Sequence, residues 1–459
     1  MVVRKVCGDE PIKDIRAEYY RLLGIDPLPH NPSPFRPFLK FLDQKIGKEE
    51  GATKQQRAAA EEECEQGWNR PWVVRDYPLM REWLQQNTRS LDDLVEGAKR
   101  TKSYTPYVAI QTGTDRGVGD LSSLEVPFGE ERRNICRSLI VRAMQRIGSK
   151  EVNGAWEDLQ GVHRIARLSA HGRCGFDALA GIACESSACR AEIQMLKAVS
   201  LDAGQLKEFA KQLRRFEAIC AVTPTVDEYY RWSYLEYATT LYCLPEKLHS
   251  KGGPKQAEWR PGSVRPLDLA LKWGNKQFDE LVRIGRIEDS VERQRANDEF
   301  VGAYEQSLVK KRASMSSVTS VFKDMVWVDE AWGEAVRDVA CVQTLPDVCN
   351  FANANRRAEC FRSMTWLAFL LQAYHVEHGN YPARLEELIP AYTEVIPLDS
   401  FRHQPIHYFR TGNDCVLQGW GPNQKDELNK ERLDLQDFDG SDHPEDSGDD
   451  QVVRISPVR

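Results

Sequence analysis

The densest collection of groups able to do chemistry lies near the end of the chain. Four of its nine histidines fall between His375 and His407: His375 and His378 around Glu377, then His403 and His407. Converging, they would make a transition-metal site, which takes three or four nitrogen, sulfur or oxygen ligands. Their spacing argues against it. His-x-Glu-His is not the His-Glu-x-x-His pattern that sets two ligands one helical turn apart, and His375 and His378 stand at a helix end, where positive charge favours the dipole. A second candidate, His163-Arg164, shares a helical run with Trp156 and Asp158. A catalytic histidine needs a nucleophile or substrate to serve, and none accompanies it. Arg164 and Arg167 suit ion pairs with carboxylates of a neighbouring helix, so a structural role is expected.

The Gly-rich run Thr112–Asp120 lacks the Gly-Lys-Ser/Thr ending of a phosphate-binding loop and follows no convincing strand, so it reads as a linker. Twelve cysteines spread from Cys7 to Cys415 without a CxxC pair; they are expected as buried, reduced thiols rather than zinc knuckles or a disulfide framework. Between Lys425 and Asp450 eleven Asp or Glu face three Lys or Arg, so this stretch alone exceeds the chain's formal net charge of −7 and the remainder is balanced. With no basic excess to release counterions, general attraction to nucleic acid is not expected. The acidic run reads as a solvated loop, although Asp carboxylates among Asn, Ser and Gly carbonyls also suit calcium's irregular oxygen shell. An EF-hand is excluded: counted from Asp437, position 6 is Asp442 and position 12 is Gly448.

These groups must be positioned by helices. Residues 1–105 read as an N-terminal helical region with Pro-rich connectors: a helix at Asp14–Leu23, an extended connector from Asp26 to Pro37, an exposed helix or mobile loop at Glu49–Glu65, and a helix from Pro78 to Leu94 with proline in its first turn. Residues 106–345 form the helical body. Its periodic segments are Glu130–Ile147, Glu151–Leu168, Phe176–Val199, Leu206–Ile219, Val226–Leu244, Leu267–Ile287 and Ser290–Lys310, separated by Gly and Pro, which suggests antiparallel helical hairpins. Trp72, Trp83, Trp156, Trp232, Trp273 and Trp366 are expected in the core. Residues 346–459 change character: a long helix Asn355–His378 capped by Gly379, a short helix Arg384–Leu388, then strands Ile406–Arg410, Cys415–Gly419 and Val452–Ile455, the first two joined by Thr411-Gly412-Asn413. The expected class is mainly α, a helical-hairpin body followed by a small α+β domain. The start of the chain has no apolar signal-like region, and the apolar run Thr365–Leu371 falls far short of the roughly 20 residues of a membrane span; the chain as given is expected to be soluble.

The order Ala373-Tyr374, His378-Gly379-Asn380-Tyr381-Pro382, Leu385-Glu386-Glu387-Leu388, Pro390, Ile396-Pro397-Leu398-Asp399-Ser400-Phe401 and Pro405-Ile406-His407-Tyr408 resembles the globular head of a type II secretion pseudopilin. That family's pattern is a long helix ending in Y…GxYP, a short helix, then P.DPF…P..Y entering the sheet. Ser400 stands where the family has proline, and the helix equivalent to the family's N-terminal one is internal here. The body resembles uncharacterised large planctomycete-type bacterial proteins that carry such a head, through Arg142-Ala143-Met144, Ala155-Trp156-Glu157-Asp158-Leu159, His163-Arg164-Ile165-Ala166-Arg167-Leu168 and Asp268…Trp273-Gly274-Asn275…Phe278-Asp279. The resemblance implies a cell-envelope setting, no known activity, and a calcium ion in the acidic loop, with Asn423 and Asp426 at its entrance and Asp446 and Asp449 at its exit as ligands.

The reading that follows is a non-enzymatic structural or partner-binding protein, part of a bacterial cell-envelope or secretion-related assembly, with a protein partner, no nucleic acid and no membrane span in this chain. The alternative is a hydrolytic or metal-dependent enzyme with its site between helical body and head. A deep pocket with converging His, Asp and Glu favours the second, a broad helical groove the first.

Overall fold

A computed structural model describes residues 35, 37–46, 54–103, 108–109, 124–125, 127–172, 174–243, 265–314, 329–423, 425 and 450–457. The chain is mainly helical with one small three-stranded antiparallel sheet. The helices are α1 (Phe38–Ile46), α2 (Lys54–Asn69), α3 (Pro78–Ala98), α4 (Pro127–Gly148), α5 (Val152–Ala170), α6 (Gly175–Ala198), α7 (Ala203–Arg214), α8 (Val222–Thr225), α9 (Arg231–Cys243), α10 (Arg265–Gly285), α11 (Ser290–Ser314) and α12 (Asp329–His378). A two-residue ladder, β1 (Val108–Ala109) with β2 (Leu124–Glu125), flanks the Gly-rich run, which itself lies outside the described residues, as does the expected helix Asp14–Leu23.

Local chemistry sets several boundaries. Asp202 and Gln205 form a capping box, each side chain bonding the other's backbone N–H at 2.8 and 3.2 Å, so α7 begins at Ala203 rather than at Leu206. Between α8 and α9 the chain makes one π-helical turn, Val226–Tyr230. The core positions that follow are Tyr230 and Tyr234, one turn apart, which leaves Trp232 on the opposite side and 61% exposed. Trp232 is therefore not the core residue the sequence suggests. Trp72, Trp83, Trp156 and Trp366 are buried, and Trp273 packs half-buried against the same cluster as Tyr234.

The largest departure is α12, which runs 50 residues, about 75 Å at 1.5 Å per residue, across the expected boundary at 345/346. It starts at Asp329 rather than Asn355 because its first half has an apolar face of its own: Val336, Val339, Ala340, Val348 and Phe351 pack with Tyr234, Ala270 and Phe278 of α9 and α10. Its second half, Phe361 to Ala373, belongs to a different core, shared with α1–α7 and the sheet. There Trp156 stacks on Phe209 at 4.1 Å and meets the Phe369 edge at 5.6 Å. The run Thr365–Leu371 is apolar on every side because it is enclosed on every side. Among the described residues no helix is long and apolar enough to cross a membrane.

After α12 the chain turns at Gly379, whose φ of +75° is the left-handed conformation expected of a cap and whose N–H bonds the His375 carbonyl at 2.8 Å. The 3-10 turn Leu385–Leu388 follows, then β3 (His407–Thr411), β4 (Asp414–Gly419) and β5 (Gln451–Ile455) in that spatial order. The hairpin turns at Gly412-Asn413, with Gly412 at φ +59°. The motif tyrosines have definite roles: Tyr381 OH donates to Gln372 Oε1 at 2.7 Å and Tyr408 OH to the Pro382 carbonyl at 2.7 Å, tying the chain after the helix to the helix and to β3.

Candidate functional site

Of Arg164 and Arg167, expected to pair with carboxylates of a neighbouring helix, Arg167 does so, and His163 joins it in a fully buried cluster. α5 carries His163 and, one turn on, Arg167; α6 carries Glu185 and Glu192, two turns apart on one face. Gly181 sets the helices this close, since a Cβ there would meet the Ala166 carbonyl oxygen at 2.4 Å. His163 Nδ1 lies 2.8 Å from Glu185 Oε2 and Nε2 lies 2.9 Å from Glu192 Oε1, all three side chains fully buried. Arg167 donates to both Glu185 oxygens, at 2.7 and 3.1 Å, and its guanidinium sits over the Phe216 ring at 4.5 Å. From α12, Arg362 approaches Glu185 to 3.9 Å. A parallel cluster joins α3, α4 and α5: Asp158, fully buried, accepts from Arg142 at 2.6 Å and Arg146 at 2.8 Å, and Arg142 reaches Asp92 at 2.6 Å.

Burial alone would lower the pKa of His163; the two facing carboxylates override it and raise it to about 9. Burial would raise Glu185, but His163 and Arg167 hold it down at about 2. Glu192, with Oε2 unbonded among the described residues, is raised by burial against the pull of His163. His163 is thus an imidazolium at neutral pH, clamped by two carboxylates. Its folded pKa exceeds the ordinary 6.5, so the folded chain binds the extra proton and the stabilisation is complete below pH 6.5 and lost as pH rises through about 9. Glu192 acts in the same direction; Glu185 acts oppositely, losing its contribution as pH falls from 4.5 toward 2. The unfolding free energy should decline between pH 6.5 and 9 by up to roughly 3 kcal/mol. Urea titrations across that range check it: His163→Gln should flatten the slope, and an unchanged slope rules out His163 as its source.

The C-terminal histidines do not converge. His378 stacks on Tyr374 at 4.1 Å, His375 packs on Tyr381 at 4.6 Å, His407 Nδ1 meets Gln418 Oε1 at 2.8 Å, and His403 lies apart on a loop with φ +52°. Among the described residues no group of three or more His, Cys, Asp or Glu is arranged to hold a metal ion. Ten cysteines are described as free thiols, eight of them buried. Of the expected calcium ligands, Asp426, Asp446 and Asp449 lie outside the described residues; Asn423 Oδ1 accepts from the Lys425 N–H at 2.7 Å. Asp450, read from sequence as part of the solvated loop, is buried and ties the loop's two ends together, accepting from Gln418 Nε2 at 2.8 Å and the Gly421 N–H at 3.0 Å.

A cavity of about 560 Å³ lies where α10, α11 and α12 meet the head loop Leu398–His403. It contains His403, Asp399 and Glu359, the residue types of a hydrolytic centre. The carboxylates are already occupied. Asp399 accepts backbone N–H groups of Phe401, Arg402 and Trp420 at 2.7–2.8 Å. Glu359 accepts the Ile219 N–H at 2.7 Å and a forked pair from Arg362 at 2.7 and 3.0 Å. No family model, curated protein or solved structure matches this chain. Its site therefore stands on geometry alone. Sequence reasoning passed over Glu185 and Glu192, whose only signal was two acids seven residues apart inside an apolar helical run, and over Arg356, which lines the cavity.

Proposed function

We propose that the chain is a non-enzymatic structural or partner-binding protein, a helical body that presents a pseudopilin-like head within a bacterial cell-envelope or secretion-related assembly. The observation that carries this reading is α12. One helix serves the body's two cores and supports the head sheet at its far end, so the head is held in a fixed place. Lys207 of α7 reinforces the junction by pairing with Glu377 at 2.7 Å, and Tyr392 of the head donates to the same carboxylate. The roles of Gly379, Tyr381 and Tyr408 support the likeness to a pseudopilin head. Ile389, Val395 and Leu398 stand exposed on that head, where an apolar side chain gains most by meeting a partner. The buried ion pairs of the body support a structural role, since they join α3 to α6 and α12 and lie in no cavity described above. Against the hydrolytic alternative, both oxygens of Asp399 and of Glu359 already accept hydrogen bonds from the chain itself.

The test is photo-cross-linking in the native bacterium. A cross-linker at Val395 should give a discrete adduct with one envelope protein, while one at exposed Trp232 of the body should not. Identical patterns from both positions defeat the reading. Turnover of ester, phosphoester or peptide substrates that is lost in His403→Ala would promote the enzyme instead.

A further inference from the structure

The cavity between body and head has donors without acceptors. Among the described residues Arg356 makes no hydrogen bond and no ion pair; its guanidinium lies 5.6 Å over the Phe401 ring. Arg293 uses one guanidinium nitrogen on the Ile287 carbonyl at 2.8 Å and pairs with no carboxylate among the described residues. Nε2 of His403 is buried and unbonded, and so is Oδ1 of Asn355, whose amide can turn to offer its NH2 instead. The acids nearby make no ion pair with Arg356 or Arg293 among the described residues: Asp399 and Glu359 accept from other groups at both oxygens, and Asp298 accepts from Gln294 Nε2 at 2.6 Å. Burial and the neighbouring Arg293 press the Arg356 pKa down, against Asp298 and Cys349. Burial, Arg356 and Arg293 likewise lower His403, against Asp399 and Asp298. Both shifts are those of cationic groups short of a counter-charge. Val226, Leu281, Ile284, Val301 and Val348 give the wall its apolar part, beside the polar Thr223, Gln294, Asn297, Asn353 and Ser400. A mostly apolar cavity of this size with a few convergent polar groups is the usual form of a small-molecule site.

We propose that this cavity binds a small organic carboxylate, its anionic head held by Arg356, Arg293 and His403 and its hydrocarbon body against Leu281, Ile284 and Val348. A carboxylate accepts a forked pair of N–H bonds from a guanidinium, which Arg356 has free to give. Its single charge suits a site where Asp298, Asp399 and Glu359 already offset part of the positive charge. The apolar wall selects a carboxylate with an alkyl or aryl body over a bare oxyanion.

Isothermal titration of the whole chain with octanoate, octanol and inorganic phosphate tests it. Octanoate should bind more tightly than about 1 mM, and octanol and phosphate at least about tenfold more weakly. Arg356→Gln should weaken octanoate about tenfold or more, and Leu281→Trp, which fills the apolar end, should abolish binding; each variant is first checked for the parent's circular dichroism and melt. The unmodified chain supplies a measurement that needs no variant, since octanoate should protect Arg356 from phenylglyoxal as read by peptide mass spectrometry. Equal binding of phosphate, full-strength octanoate binding by a folded variant, or phenylglyoxal reaction at Arg356 untouched by octanoate each overturns the proposal.

Discussion

Glu185→Gln should lower the melting temperature by about 4–6 °C, the largest loss expected from any isosteric substitution in the body. Glu185 Oε2 receives both His163 and Arg167, and Oε1 receives the second Arg167 nitrogen. Glutamine keeps one acceptor and turns an NH2 toward donors already present. It also removes the charge that holds His163 and Arg167 ionised in a fully buried place. Breaking a buried pair from one side costs roughly 3–5 kcal/mol, because the remaining charge is left without compensation. With an unfolding entropy near 2 cal/mol/K per residue over a unit of about 400 residues, that loss converts to the stated shift. Glu192→Gln is the control. Glu192 makes one bond, to His163, and its other oxygen is unbonded among the described residues, so glutamine can keep the contact. Its melt should move by less than that of Glu185→Gln, since it removes one of the two charges facing His163 but leaves Arg167 its partner. Equal shifts in the two variants would mean that Glu185 is not the hub.

How far the sequence revealed this arrangement depended on the range of the interaction. Periodicity gave the helices α3 to α6 within a few residues, because one stripe of apolar side chains per helix is a local property. The positive φ of Gly379 and Gly412 was legible for the same reason. The extent of α12 was not: its first half, rich in Ala, Asp and Asn, shows no strong stripe, and its apolar face becomes evident only opposite Tyr234 and Phe278. Trp232 misled because one π-turn upstream decides which side of α9 faces inward. In the site, His163 was read as structural and Arg167 as a helix-to-helix pairing residue, yet neither carboxylate was named, since nothing in sequence says which of the acids on α6 turns inward. The same holds for Arg356. Its importance lies in having no hydrogen-bond or ion-pair partner among the described residues, and that is a fact of three dimensions.

Asp399 shows how a short motif can be physical without being catalytic, and its removal should unravel the head. The residue is fully buried, and each of its oxygens is engaged. Oδ1 takes the N–H groups of Phe401 and Arg402 at 2.7 and 2.8 Å, closing the turn that precedes the sheet. Oδ2 takes the Trp420 N–H at 2.8 Å just after β4 and lies 3.5 Å from the Cys360 sulfur of α12. One carboxylate therefore joins the head loop, the end of the sheet and the long helix. Gly419 belongs to the same contact: a Cβ there would stand 2.5 Å from the Cys360 sulfur, so strand and helix meet without a side chain between them. Alanine at 399 leaves three backbone N–H groups without their acceptor, each costing about 1–3 kcal/mol where water cannot replace it. Part-exposed Arg402 and Trp420 can recover some of this from solvent, so the net loss should be about 3 kcal/mol or more. Asp399→Asn keeps one good acceptor and should lose roughly half as much. Hydrogen exchange locates the effect: in Asp399→Ala the amides of Phe401, Arg402 and Trp420 should lose protection, while those of α5 and α6 around His163 keep theirs. Loss of protection spread evenly over both regions would show that head and body unfold as one unit, and that Asp399 supports the whole chain rather than the head alone.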